Sequence, residues 1–521
     1  MNNKSVAIVG SGIIGATLAY LFVKKGYRVD IFEKGPDYPY PHTDQFAERI
    51  FYLYGNPAYK LPKDIKNHSI TGDYQHNVEL ERGMLVGGSS TYWAAITPRM
   101  LPNDFRTKSL YGFGEDWPLS YDDIEPYYCK AERLLGIAGT DDDNPFAPPR
   151  SQPFPLPPFE LSYDDLLLAE RLTKHDIVLH TTPQARTSEL YDGRDACVNF
   201  GTCDVCPIGS RYSPNHHILL AMETGLCNVH TNVSVRRIAL DSSGSAKTLV
   251  YQRNDERQEK EHSANLIMVA AGAIESPRLL LLSKDSRFPD GIGNQGGHVG
   301  KHFTFHHLWH GRLQYKKKLY PGRIGPITGQ SHQFMDPPTR GKHGGTKVEF
   351  ASTPGFRKIL TEPGSASEIF EELKAKIYSR GIIMHAESAP SPQKYITLSE
   401  KRDRFGDPYA HIHYESSEFD YETYGFATDL YDRFAAATDG EKMEFDEVNE
   451  FDNGAHHMGG TRMGTAPENS VVDEYGKIHE IPNLFVLGGS NFGGTTGAVN
   501  PTLTMVAHAI RTAEYIMDQF V

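Results

Sequence analysis

The sequence predicts an α/β dinucleotide-binding domain interleaved with an α+β domain built on an antiparallel sheet. Three observations predict it. A strand, a glycine turn, a helix and a second strand follow one another within the first 33 residues. Glycine-bearing nucleotide-type motifs return at 197–283 and again after residue 452. Between them, from His302 to Asp452, short β-like runs alternate with helical pieces such as 366–379 and 419–437, which suits an antiparallel sheet backed by helices.

The first unit is complete. Ser5-Val6-Ala7-Ile8-Val9 reads as a buried strand, Ala16 to Lys25 as a helix ended by Gly26, and Arg28-Val29-Asp30-Ile31-Phe32 as a second strand with Glu33 at its end. Between strand and helix lies Gly10-Ser11-Gly12-Ile13-Ile14-Gly15. Gly10 permits the tight turn, Gly12 admits a pyrophosphate onto the helix N-terminus at Ile13, and Gly15 lets helix and strand pack closely. Glu33 suits ribose hydroxyls and repels a 2′-phosphate. A second segment, Arg82 to Trp93, carries Gly87, Gly88 and Ser89, small residues over which backbone can approach a large planar ligand. Asp141-Asp142-Asp143 and the proline-rich stretch 145–158 read as a crossover between domains.

The chain of 521 residues is long enough for several domains, and no internal repeat or low-complexity tail is visible. Its net charge of −13 and the lack of a long basic run argue against nucleic acid and anionic membranes as partners. The apolar run 266–282 is broken by Glu275, Pro277 and Arg278, so no membrane span is expected. No secretory leader is recognised, and a cytoplasmic location is the default; periplasmic export with a signal-bearing partner stays open.

The tail carries the chemistry. His456-His457-Met458-Gly459-Gly460-Thr461-Arg462-Met463-Gly464 is followed by Gly497-Ala498-Val499-Asn500-Pro501-Thr502-Leu503-Thr504. Neutral imidazole is the natural base near pH 7, and a carboxamide can hold an alcohol oxygen in line. Asn500 suits a helix N-cap and Pro501 a first helical position, and Leu503, Val506, Ala507, Ile510, Ala513 and Met517 form the apolar stripe of the helix they start. The positive end of that helix suits negative charge. Arg462 is expected to tie down its loop. Taken alone, Asn500 reads first as a plain cap, and either histidine as a hydrogen-bonded core residue.

Together these motifs resemble the glucose–methanol–choline (GMC) flavoprotein oxidoreductases. The resemblance spans nearly the whole chain. It rests on the N-terminal fingerprint, the Val86-Gly87-Gly88-Ser89-Ser90 loop, the run Val269 to Leu280 with Ala271 and Gly272, and the two C-terminal blocks. It implies a Rossmann-like FAD-binding domain interleaved with a substrate domain: FAD-binding parts at 1–150, 196–300 and 453–521, a crossover and substrate segment at 151–195, and the substrate domain at 301–452. It implies oxidation of an alcohol, and the C-terminal blocks are most similar to pyranose oxidases and bacterial sugar and glycoside dehydrogenases, which oxidise a secondary hydroxyl at C2 or C3 with hydride transfer to flavin N5. Alignment on Gly459-Gly460-Thr461 places the base on His457 and its partner on Asn500; the role of His456 stays open. The cofactor residues implied are Gly10, Gly12, Ile13, Gly15, Glu33, Arg82, Gly87, Gly88, Ser89, Trp93, Val235 beside the adenine, Ala271, Gly272, Gly489, Asn500, Pro501 and Thr502.

Two departures bear on reactivity. Tyr92 stands where some pyranose oxidases carry a histidine covalently joined to FAD, so the cofactor is expected to be non-covalent. Ala94 replaces a hydroxyl near the flavin, which argues against fast use of oxygen. The expected electron acceptor is therefore a quinone or a cytochrome-bearing or small accessory subunit, with oxygen as the alternative. A flavin-bearing lyase and a non-catalytic FAD-binding protein stay open as rivals.

Cys197, Cys203 and Cys206 resemble the iron–sulfur loop of certain flavin glucose dehydrogenases, with the second gap one residue shorter; three reduced structural thiols are the alternative. His302, His306, His307 and His310 alternate with phenylalanines and are expected on a strand, not on a metal. The polar segment 330–347 has three glycines and two prolines and suits a lid or an exposed loop.

Overall fold

The computed structural model describes residues 4–44, 68–73, 82–199, 206–320, 327–351, 364–446 and 456–519. A five-stranded sheet gathers strands from three separated stretches of chain. In spatial order they are Leu484–Val486, Leu266–Val269, Ser5–Val9, Arg28–Phe32 and Cys227–His230. Every pairing in it is parallel. Strands such as Leu266–Val269 are buried throughout, as a sheet covered on both faces requires. The helices Ile13–Val23 and Thr502–Gln519 pack on it and on each other, so the head and tail of the chain share one core.

The second sheet is six-stranded and antiparallel. Its order is Glu441–Phe445, His307–Gln314, Ser379–Ala386, Thr346–Ala351, Ile327–Ser331 and His180–Thr181. Register separates its faces. Leu308 lies across from His385 and His310 from Ile383; Lys347 lies across from His385 and Glu349 from Ile383. Alternation therefore puts Leu308, His310, Lys347, Glu349, Ile383 and His385 on one face. The intervening Trp309, Val348, Phe350, Ile382 and Met384 join a separate apolar core with the helix Glu418–Thr438. Each such side chain contributes roughly 1.5–3 kcal/mol by leaving water.

The segment 330–347 is neither lid nor exposed loop. Its ends belong to the strands Ile327–Ser331 and Thr346–Ala351, and Phe334 and Met335 are buried. Arg340, also buried, bridges Asp104 at 2.7 Å and Glu387 at 2.8 Å. Glycine and proline gave the segment a loop-like composition; strand pairing and a buried ion network hold it. Among the described residues no helix is long and apolar enough to cross a membrane.

Gly15 carries the helix–strand contact expected of it. A Cβ there would lie 2.0 Å from the Gly10 carbonyl oxygen. Gly15→Ala should therefore cost about 1–3 kcal/mol by overpacking, read as a lowered melting temperature of the cofactor-free protein; an unchanged melt would refute this packing role.

Candidate active site

One cavity of about 590 Å³ runs between the two sheets. The parallel-sheet side supplies Gly10, Gly12, Ile13, Glu33, Arg82, Gly88, Ser89, Trp93, Val235, Ala271, Gly272, Gly489, Asn500, Pro501 and Thr502 to its wall. His456 and His457 line it as well, as do Leu308, His310, Glu349, Ile383 and His385 from the antiparallel sheet. Of the cofactor residues singled out from sequence, Gly15 and Gly87 do not line it. Gly15 lies behind, against Gly10. Gly87 has φ +95°, and a Cβ on it would meet Asn215 Oδ1 and Thr91 Oγ1, so it serves the turn and not the cavity surface.

At the nucleotide end the backbone is bare. A Cβ on Gly12 or Gly272 would meet nothing within 4 Å, which is the cradle a pyrophosphate needs. Glu33 is buried and accepts from Ser11 N at 3.1 Å, Ser11 Oγ at 2.6 Å and Gly35 N at 2.9 Å. Burial raises its pKa, against those donors. Further charges, Lys34, Glu275 and Arg278, were not singled out from sequence and line the same cavity. Lys34 lines the cavity, and burial lowers its pKa to about 8, opposed by Glu275. Glu275 pairs with Arg82 at 3.0 Å and with Arg278 at 3.1 Å. Burial opposes the charge of Glu275, but Arg278, Lys34 and Arg82 outweigh it and bring the pKa to about 2. These residues fit FAD: open glycines for its phosphates, an acid for its ribose, and a wall that continues to Trp93 and the N-terminus of the helix Thr502–Gln519.

At the other end the structure changes one pairing. Sequence alignment joined Asn500 to His457, whereas the Asn500 amide nitrogen lies 3.2 Å from His456 Nε2. His456 has φ +68°, a left-handed turn that sends two adjacent imidazoles different ways. His456 Nδ1 lies 3.0 Å from His306 Nδ1, and His306 Nε2 lies 2.8 Å from the Gly497 carbonyl. His457 instead stacks on Phe303, and its Nε2 is buried without a hydrogen-bond partner among the described residues.

All these imidazoles are neutral at pH 7. Burial, helped by Arg82 and His68, lowers the His457 pKa to about 3. Burial together with His306, His385 and Lys347 drives His456 well below its ordinary value. His306 falls to about 3 through burial and the charge of His385.

Asn500 is not a helix cap. The helix begins at Thr502, one residue later than expected, and the Pro501 carbonyl accepts its first bond from Met505 N at 2.9 Å. The Asn500 side chain bonds His456, and its Oδ1 accepts from Lys347 Nζ at 2.5 Å. Lys347 also donates to Glu349 Oε1 at 2.5 Å, and Glu349 Oε2 lies 3.0 Å from His385 Nε2. Lys347, Glu349 and His385 were missed from sequence; the available signal was two charges at alternate positions of the apolar run 346–351.

The remaining candidates among the described residues, His310 excepted, lie off the cavity wall. Cys203 lies outside the described residues; Cys197 and Cys206 are free thiols, and Cys206 Sγ lies 3.3 Å from Ser210 Oγ. The histidine strand binds protein groups: His307 faces Asp420 at 3.2 Å and His310 faces Asp446 at 3.0 Å. Asp192, His216 and His217 have metal-compatible spacing, but His216 Nε2 is bonded to Asp192 at 3.0 Å and His217 Nδ1 to Tyr212 at 2.8 Å. Arg462 donates to the Asn469 carbonyl and ties its loop.

Comparison with known proteins agrees with this architecture. Models of the GMC oxidoreductase family match residues 183–308 and 390–509, and a model of an NAD(P)-binding Rossmann-like domain matches 8–39. The chain is 29% identical to the fructose dehydrogenase large subunit of Gluconobacter japonicus, over 99% of this chain and 98% of that one. It is 30% identical to the 2-methyl-1,2-propanediol dehydrogenase of Mycolicibacterium austroafricanum, over 100% and 96%. The crystal structure of pyridoxine 4-oxidase from Mesorbium loti superposes with a TM-score of 0.65 at 18% identity, over 99% of this chain and 100% of that one.

Two outcomes are expected. Gly12→Ala should leave the melting temperature of the cofactor-free protein unchanged but weaken FAD binding about tenfold or more, since the methyl enters the cradle; unaltered affinity would place the phosphates elsewhere. Acid should destabilise the fold. The folded pKa values of His306 and His457 lie near 3, below the ordinary imidazole value of about 6.5. The unfolded chain therefore binds more protons between those limits, so stability is full above pH 6.5 and is lost as pH falls toward 3. Melting curves from pH 7 to 4 measure this, and His457→Leu should flatten the slope.

Proposed function

Because the chain belongs to the GMC oxidoreductase family, we propose that it is an FAD-dependent dehydrogenase of sugars or glycosides, oxidising a secondary ring hydroxyl at position two or three to a ketone. One observation carries the reading: His456, His457 and Asn500 from the tail line the same cavity as Gly10, Gly12 and Glu33 from the head. The full-length likeness to dehydrogenases named for fructose and a propanediol supports a hydroxyl-bearing substrate.

The open glycines and Glu33 would hold FAD at its phosphates and ribose, with Ser89, Trp93, Pro501 and Thr502 along the rest of the wall. When bound, FAD supplies the hydride acceptor. His457, neutral and on the cavity wall, takes the hydroxyl proton. Asn500 holds the alcohol oxygen through its amide nitrogen, and the N-terminus of the helix Thr502–Gln519 favours negative charge beside it. Leu308 and Ile383 add apolar surface beside the polar groups of that end. A second assignment of the base, to His456, is favoured by the bond between its Nε2 and Asn500. The electrons leave to a quinone or an accessory subunit; the relative named as a large subunit supports such a partner. Stoichiometric iron in anaerobically purified protein would assign a cluster to the cysteine loop, and its absence would leave the cysteines as structural thiols.

Anaerobic mixing of the FAD-loaded protein with a panel of sugars should bleach the flavin. His457→Ala should slow bleaching about 10²–10⁴-fold with FAD retained. If His456→Ala alone has that effect, the base is His456; if no sugar bleaches the wild type, the sugar reading fails. Stoichiometric peroxide during aerobic turnover would replace the dehydrogenase with an oxidase.

A further inference from the structure

The hydrogen bonds around Asn500 admit one arrangement of protons. An ammonium group can only donate, so the Asn500 atom against Lys347 Nζ is the oxygen, and the amide nitrogen faces His456. At the far end the Gly497 carbonyl can only accept, so His306 Nε2 carries the hydrogen. A neutral His306 then has a bare Nδ1, which must accept from His456 Nδ1–H. That leaves His456 Nε2 bare, and the Asn500 amide nitrogen supplies its donor. Reasoning from either end reaches the same tautomer.

Lys347 is built for this task. It is fully buried on the strand Thr346–Ala351, and its bonds go to Glu349 and Asn500. Glu349 is held in turn by His385, which lies across the strand pair from Lys347. The antiparallel sheet thus reaches across the cavity to grip a carboxamide that belongs to the other domain. A free amide could turn over at small cost; beside a lysine it cannot.

We propose that Lys347 is a positioning residue that locks the Asn500 carboxamide with its nitrogen toward the reaction site and so aims an amide N–H at the bare Nε2 of His456, in the Nδ1–H tautomer that the His306–Gly497 contact also selects. The donor to the alcohol oxygen and an acceptor nitrogen next to it are then preorganised by a residue of the substrate sheet. This rests on the reading of the cavity as an alcohol-oxidising site, but the tautomer is a property of the protein alone.

The test uses the FAD-loaded full chain. With histidine labelled in ¹⁵N, subtraction of the His456→Gln spectrum isolates His456, whose Nδ1 should be protonated and Nε2 bare. A protonated Nε2 overturns the inference whether or not any substrate turns over. Lys347→Met leaves Glu349 short of a cation and risks unfolding, so the double variant Lys347→Met/Glu349→Gln, which removes both charges, accompanies it. In that variant the Nδ1–H tautomer should persist, because His306 still requires it, but the His456 Nε2 resonance should shift as its aligned donor is lost, and flavin reduction by the best sugar of the panel should fall about 10- to 100-fold. In an Asn500→Ala background the same double substitution should cost nothing further. An equal loss in both backgrounds, or an unchanged His456 spectrum, overturns the role of Lys347. A wild type that no sugar reduces sinks the proposed activity and leaves the labelled spectra to decide this inference.

Discussion

The buried contact between Lys347 and Asn500 joins the two halves of the molecule where the chemistry is proposed. Burying an ammonium costs several kcal/mol, and an ion pair recovers it only with good geometry and complete hydrogen bonding. Glu349 meets that condition. Burial works against its charge, yet His385 and Lys347 hold it well below the usual carboxylate range. Lys347 is drawn the other way, lowered by burial against the pull of Glu349. Removal of one partner from such a pair typically costs about 3–5 kcal/mol. So expensive a pair, set against a side chain of the other domain, orients more than it stabilises.

The cavity is electrostatically divided. Its nucleotide end is ionic, with Lys34, Arg82, Glu275 and Arg278 interlocked around open backbone. Its far end holds imidazoles whose burial keeps them uncharged. The division follows from what each end must do. Phosphates need fixed donors and positive charge at a helix start, whereas a proton acceptor must be neutral at working pH. A strongly depressed imidazole is a weak base in isolation, so the proposed chemistry leans on orientation and on donors to the alcohol oxygen more than on basicity.

Much of the fold was legible. The N-terminal unit was read element by element because glycine, apolar strand and helix follow in register, and each constraint is local. The helices Ala366–Lys376 and Glu418–Thr438 were expected nearly at their observed limits for the same reason. The pairing at the tail was not legible. His456 and His457 differ in sequence by one position, and which of them meets Asn500 is set by a backbone turn at φ +68° that composition does not announce. The segment 330–347 misled in the opposite sense. Its glycines and prolines are loop-like, but Arg340 finds two carboxylates from distant parts of the chain, Asp104 and Glu387, and such long-range pairing leaves no local trace.

Lys347 and Glu349 show why the substrate side was hardest to read. Two charges at alternate positions of a short apolar strand ordinarily mark a solvated face, and burial of both is uncommon. Here the strand is internal to the sheet, flanked by Ile327–Ser331 and Ser379–Ala386, and the charged face looks inward on the cavity. Register then carries the function. A slip of one residue would turn Val348 and Phe350 toward the cavity and bury Lys347 and Glu349 in the apolar core. The hydrophobic core under this sheet therefore does two things at once: it fixes the strand, and through the strand it fixes which atom of the Asn500 carboxamide faces His456.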